Sequence, residues 1–165
     1  MPSQRAPAAP RKPASRTAAA LSVLQLDRQL CFALYASSLA MTKLYKPLLA
    51  PLGLTYPQYL VMLVLWEQTP VSVSELGDRL YLDSGTLTPL LKRLQTAGWI
   101  ERERDVQDER RVLLTLTAEG QALRAQARSV PLTLAERTGC SVTELQDLTQ
   151  RLQALRARLT ASSGD

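Results

Sequence analysis

The sequence predicts a mainly α-helical chain with one small β-hairpin. Three observations carry that expectation. Apolar residues recur at helical spacing through most of the chain. Two Ser-x-x-Glu signatures and several single glycines mark helix starts and stops. Only one stretch, Trp99 to Leu116, reads as two strands around a charged turn.

The elements follow in order. Residues 1–20 are rich in Pro, Ala, Arg and Ser and carry Arg5, Arg11, Lys12 and Arg16 without an acid. Such a segment buries too little apolar surface to offset ordering entropy, so a disordered basic arm is expected there. From about Leu21 to Leu49 the pattern is helical. Leu30, Cys31, Leu34, Ser38, Met41, Tyr45 and Leu48 share one face, and Pro47 should kink or end the helix. Gly53 then breaks the chain. A second helix fits Pro57 to Glu67, apolar nearly all round and therefore central.

Ser72-Val73-Ser74-Glu75 is a capping box and opens a short helix to about Leu80, with Leu76 and Leu80 inward. Asp83 or Ser84 caps the next helix, to about Ala97, with Leu87, Leu90, Leu91 and Leu94 as its inner stripe. Gly98 ends it. Strands are expected over Trp99–Arg104 and Arg110–Leu116. Thr117 caps a helix from Ala118 to about Thr133. Ser141-Val142-Thr143-Glu144 opens a last helix to about Leu159.

Two short helices joined by a tight turn, then a charged β-hairpin, make a winged helix-turn-helix. The predicted fold class is therefore mainly α with a small β-hairpin wing. The winged core spans about 55–117. The flanking helices, about 21–52 and 118–160, have apolar faces larger than one small core can cover, so they are assigned to a dimer interface. Residues 21–160 form a single domain and 161–165 a tail.

Composition removes several function classes. The chain has 165 residues, two cysteines and no histidine. A Ser–His–Asp triad, a Cys–His pair and a His-based zinc site are all impossible, so no enzyme, no metal and no cofactor is expected. No apolar run reaches the ~18 residues of a membrane span. The N-terminus lacks the apolar segment of a secretory signal, and a cytoplasmic protein is expected. The net charge is +5, but four positive charges lie in the first 20 residues and leave +1 for the rest. Placement of charge must carry any nucleic-acid argument.

That placement is informative. With the leucines of the 84–97 helix inward, Ser84, Gly85, Thr86, Thr88, Pro89, Lys92 and Arg93 face out. Short hydroxyls and a proline allow close approach in a major groove, and Lys92 and Arg93 suit phosphates. The same helix alone would also serve as an ordinary capped surface helix; the hairpin behind it favours a recognition helix. The hairpin carries Arg102, Arg104, Arg110 and Arg111, and Asp108 can hold the Arg110 guanidinium. This suits a phosphate track or a narrow minor groove, although Glu101, Glu103, Asp105 and Glu109 nearly balance the arginines. Double-stranded operator DNA is the implied partner.

From Leu24 to Leu159 the chain resembles the MarR-type (multiple antibiotic resistance) regulators, and among them the organic hydroperoxide resistance regulators. The general marks are the recognition-helix run, Arg104-Asp105-Val106-Gln107-Asp108-Glu109-Arg110-Arg111 and Leu116-Thr117-Ala118-Glu119-Gly120. The narrower marks are Leu30-Cys31-Phe32-Ala33-Leu34-Tyr35-Ala36-Ser37-Ser38, Lys43-Leu44-Tyr45-Lys46-Pro47-Leu48-Leu49 and Thr55-Tyr56-Pro57-Gln58-Tyr59.

The resemblance implies a redox-active Cys31 whose sulfur is hydrogen-bonded by Tyr45 and Tyr56. Organic hydroperoxide is the implied oxidant, and Tyr35 and Leu34 line the pocket. Cys31 and Tyr45 are 14 residues apart, about 21 Å along one helix at ~1.5 Å per residue. If the groups meet, Tyr45 must come from the partner subunit, so the site needs a homodimer. In some members of the group a second cysteine resolves the oxidised sulfur, and the resemblance carries that role to Cys140. The implied function is a redox-sensing repressor that binds its operator when reduced and releases it on oxidation. Cys31 also fits a structural core cysteine in a repressor that answers a small aromatic ligand. A thiol peroxidase and a winged-helix protein-interaction module are further alternatives.

Overall fold

The computed structural model describes residues 24–162. The basic arm expected at 1–20 lies outside them. The chain divides into two compact units at Met41 and Thr42.

The first unit holds a 3-10 turn, Leu26–Arg28, and the start of helix α1 (Leu30–Leu49). The helix expected from Leu21 thus begins at Leu30, because Gln29 is extended, with ψ 117°. None of the described residues up to Met41 is buried.

In the second unit Pro47 lies inside α1 without ending it. So near the C-terminus, proline forfeits only one helical bond. A 3-10 turn, Ala50–Leu52, follows, closed by Gly53 in the left-handed region at φ 66°. Helix α2 (Tyr56–Glu67) starts one residue before Pro57, and Thr55 and Gln58 form its capping box. It is the central helix, burying Gln58, Tyr59, Val61, Met62, Val64, Leu65 and Trp66.

Strand β1 (Val71–Ser72) precedes helix α3 (Val73–Leu80), whose capping box joins Ser72 and Glu75. Asp83, rather than Ser84, caps helix α4 (Ser84–Thr96). Leu76, Leu87, Leu91 and Leu94 are buried, while Leu80 and Leu90 are only half-buried. The hairpin strands are β2 (Ile100–Arg104) and β3 (Val112–Leu116), shorter than expected at Trp99 and at Arg110–Arg111. With β1 they make an antiparallel sheet in the order β1-β3-β2. Ile100 pairs with Leu116, Arg102 with Leu114 and Val71 with Leu114.

The helix expected over 118–133 is two: α5 (Ala118–Ala127) and α6 (Ser129–Thr138). Pro131 explains the break. It has no N–H for the Ala127 carbonyl, and its ring crowds that oxygen. Gly139, at φ 68°, ends α6, and helix α7 (Val142–Ser162) runs three residues past Leu159.

One residue fixes how α5 meets the sheet. Trp66 Nε1 donates to the Gly120 carbonyl at 2.9 Å. A Cβ at Gly120 would stand 2.0 Å from the Trp99 carbonyl oxygen, so only glycine fits. Among the described residues no single helix is long and apolar enough to cross a membrane.

Candidate functional site

The helix-turn-helix is α3, a tight turn and α4. Tyr81 closes α3 in the left-handed region at φ 57°, and a Cβ on Gly77 would meet the Leu82 carbonyl at 2.8 Å. Asp83 accepts the Thr86 N–H at 2.8 Å and the Thr86 hydroxyl at 2.9 Å. The Thr86 N–H, then its hydroxyl, hold the Asp83 carboxyl below its ordinary range, so it stays ionised at the helix start. Buried Leu87, Leu91 and Leu94 turn the opposite face out. Ser84, Gly85, Thr86, Thr88, Pro89, Lys92 and Arg93 are all exposed, as the spacing predicts. The Thr88 hydroxyl donates to the Ser84 carbonyl at 2.7 Å, which ties this exposed side chain to the helix backbone and leaves its oxygen free to accept.

The wing tip is held by its own backbone. Asp105 N–H donates to the Arg111 carbonyl at 2.9 Å, and Arg111 N–H to the Asp108 carbonyl at 2.8 Å. Asp108 Oδ1 accepts the Arg110 N–H at 3.1 Å and Arg110 Nε at 3.4 Å. Asp108 therefore orients a guanidinium whose side chain is 94% exposed. At the end of the wing turn Arg111 also reaches the Glu75 carboxylate, 3.6 Å away. Bonds from Ser72, first its hydroxyl and then its N–H, hold Glu75 below the usual carboxylate range. One carboxylate thus ties wing, β1 and α3 together.

The thiols and tyrosines lie elsewhere. In the first unit Cys31 is a free, exposed thiol in the first turn of α1. Leu34 is half-buried there and Tyr35 exposed. In the second unit Tyr45 and Tyr56 come together, ring centroids 4.6 Å apart. Tyr59 completes the cluster, 5.8 Å from Tyr45 and 6.2 Å from Trp66. Sequence reasoning assigned Tyr59 no role; its position three residues after Tyr56 on one helix is the signal that places both on one face. Burial first, then Tyr56 and Tyr59, push the Tyr45 phenol from its ordinary 10.0 to about 12. Burial also raises Tyr56 and Tyr59. All three phenols therefore keep their protons at neutral pH and remain hydrogen-bond donors.

Cys140 is a second free, exposed thiol, in the turn after Gly139. Its Sγ lies 3.7 Å from the Thr138 carbonyl oxygen. Among the described residues no three His, Cys, Asp or Glu side chains gather as metal ligands do.

A capped recognition helix with an arginine-bearing wing behind it defines a winged-helix, DNA-binding transcriptional regulator. The family model "Transcriptional regulator SarA/Rot" matches residues 43–126. The chain is 50% identical over 139 residues to the HTH-type transcriptional regulator TtmR of Methylorubrum extorquens, covering 84% of this chain and 71% of that one. It is 51% identical over 132 residues to the organic hydroperoxide resistance transcriptional regulator of Bacillus subtilis, covering 80% and 88%.

The structure of reduced AbfR bound to DNA superposes with a TM-score of 0.72 at 35% identity, over 85% of this chain and 96% of that one. AbfR is from Staphylococcus epidermidis. Its disulfide form superposes with a TM-score of 0.57 at 37% identity, over 85% and 98%. The chain belongs to the MarR-type winged helix-turn-helix regulators, in the group that contains the organic hydroperoxide resistance regulators.

Proposed function

We propose that this regulator is a thiol-based repressor that holds operator DNA as a reduced homodimer and lets go when organic hydroperoxide oxidises Cys31. The observation that carries the reading is the exposed Cys31 thiol in a chain 51% identical to an organic hydroperoxide resistance regulator.

The chemistry is balanced within the site. The Cys31 thiolate attacks the terminal peroxide oxygen. The S–O bond forms as the O–O bond breaks, sulfur is oxidised by two electrons, and the alkoxide leaves and takes a proton to become the alcohol. Tyr45 and Tyr56, protonated at neutral pH, donate hydrogen bonds to the thiolate and favour its charged form. About 21 Å of helix rise separates Cys31 from Tyr45 in one chain, so the partner subunit supplies both tyrosines. Tyr35 and Leu34 line an apolar approach suited to an organic oxidant. Cys140 resolves the sulfenic acid: its thiol attacks the sulfenyl sulfur, a disulfide forms and water leaves.

Ser84, Gly85, Thr86, Thr88 and Pro89 read the major groove, Lys92 and Arg93 hold phosphates, and Asp108 sets Arg110 at the wing. Oxidation favours a dimer shape whose two recognition helices no longer match grooves about 34 Å apart. A difference of a few kcal/mol between the shapes releases the operator. The dimer itself draws on α7, where Leu145, Leu148, Leu152 and Leu155 repeat at spacings of three and four. That is the seam pattern of paired helices, and Leu148 is 53% exposed and Leu152 40% exposed.

The test is binding of the reduced protein to its own upstream DNA, followed by tert-butyl hydroperoxide. Release from wild type but not from Cys31→Ser supports the reading, and a Cys140→Ser variant that stops at the sulfenic acid assigns the resolving step. Binding that hydroperoxide leaves unchanged contradicts it, as does a Cys31→Ser protein that still responds.

A further inference from the structure

A groove of about 450 Å³ lies between the helix-turn-helix and the wing, with Ser74, Asp78, Ser84, Arg102, Arg110 and Arg111 in its wall. Arg102 is the unusual member. It pairs across the sheet with Leu114 and stands two residues from Ile100, and those two residues are 0% and 1% exposed. Residues directly opposite in an antiparallel pair share a face, so Arg102 sits on the inward face of the wing sheet. It is half-buried, and its Nε is shielded from solvent with no hydrogen-bond partner among the described residues. A desolvated guanidinium nitrogen without an acceptor costs free energy, and an apolar residue on that face would avoid the cost. The long stem lets the head emerge beside Ser74, Ser84 and the other two guanidinium groups.

We propose that this groove seats one phosphodiester of the DNA backbone, with Arg102 as its fixed anchor. The inference rests on α4 and the wing being the DNA-contacting elements. When a recognition helix lies in the major groove and a wing in the neighbouring minor groove, the sugar–phosphate strand between those grooves passes between the two elements. That is where the groove lies. Arg102 supplies a planar fork for the phosphate oxygens, and Ser74 and Ser84 supply hydroxyl donors. Arg111 is shared with Glu75, Arg110 with Asp108, and Asp78 opposes an anion, so the net attraction falls on Arg102. A phosphate seat carries no sequence information: Arg102 sets affinity and register, whereas α4 sets specificity.

The experiment compares full-length reduced wild type, Arg102→Met and Arg102→Lys on the protein's own upstream duplex and on an unrelated duplex of equal length, across a salt series. Arg102→Met keeps the stem and removes charge and donors. It should melt at or above the wild-type temperature and bind both duplexes more weakly by the same factor. Its slope of log K against log salt should fall by about 1. Arg102→Lys should regain the slope. Unchanged affinity and slope in Arg102→Met overturn the seat, as does weakening confined to the upstream duplex. Inorganic phosphate that raises the melting temperature of wild type and not of Arg102→Met, with equal DNA affinities, overturns it in favour of a free-anion site. A wild type that binds neither duplex overturns the DNA reading itself, which separates the two failures.

Discussion

The helix-turn-helix with its wing and the C-terminal helix solve the same burial problem differently. In the reading head Leu76, Leu87, Leu91, Leu94, Ile100 and Leu114 are at most 1% exposed. Helix α7 has twenty-one residues and none is buried. Both carry leucines at helical spacing and both begin with a Ser-x-x-Glu capping box, so sequence chemistry does not separate them. What differs is the partner. The head finds its apolar partners in α2 and the sheet of the same chain. In our reading the α7 seam takes a second copy of the chain. Each reading head is thus built within one chain, whereas operator binding and sensing, in our account, both need two.

The largest expected effect strikes the head. Gly120→Ala forces a methyl onto the Trp99 carbonyl and should cost about 3 kcal/mol, measured by urea unfolding. The loss should not depend on protein concentration. Leu148→Glu with Leu152→Glu should act in the opposite manner. It should leave the fold of the head intact by circular dichroism, convert the dimer to a monomer in sedimentation, and weaken operator binding by at least about 100-fold as bivalent contact is lost. A double variant that stays dimeric removes α7 from the interface.

The two capping boxes sharpen the contrast. Ser72 is 1% exposed and bonds to Glu75, so Ser72→Ala should cost about 1–2 kcal/mol by thermal melting. Ser141→Ala, at an exposed cap of the same sequence type, should cost less. Equal losses would mean that burial does not distinguish the two caps.

The smallest effect concerns pH. The Tyr45 phenol is raised from 10.0 to about 12, so the unfolded chain gives up this proton first as pH rises. The contribution of this phenol to stability is complete below pH 10 and should be lost as pH climbs toward 12. Tyr45→Phe should flatten that fall in an alkaline denaturation series.

The sequence showed the head because its signals are local. Asp83, Ser72 and Thr117 mark helix starts by their own hydrogen bonds, and the leucine spacing sets which side of α4 faces out. It did not show β1, since two residues have no readable period; Val71 and Ser72 become a strand only by pairing with Leu114 and Leu113. The break between α5 and α6 is legible in Pro131, although the helical pattern from Ala118 runs on to about Thr133. Tyr59 was missed because its meaning depends on Tyr45, which comes from another helix. Arg102 was seen as one more hairpin arginine, because only strand register places it inward.

The central claim is that the sensing site is shared between subunits, and mixed dimers test it directly. One subunit keeps Cys31 and carries Tyr45→Phe and Tyr56→Phe; the other keeps both tyrosines and carries Cys31→Ser. The mixed dimer then has one complete site only if the tyrosines act across the interface. We predict that its single Cys31 reacts with tert-butyl hydroperoxide at close to the wild-type rate per thiol. A rate no higher than that of the doubly Tyr→Phe homodimer would contradict a shared site and return the chemistry to a single chain.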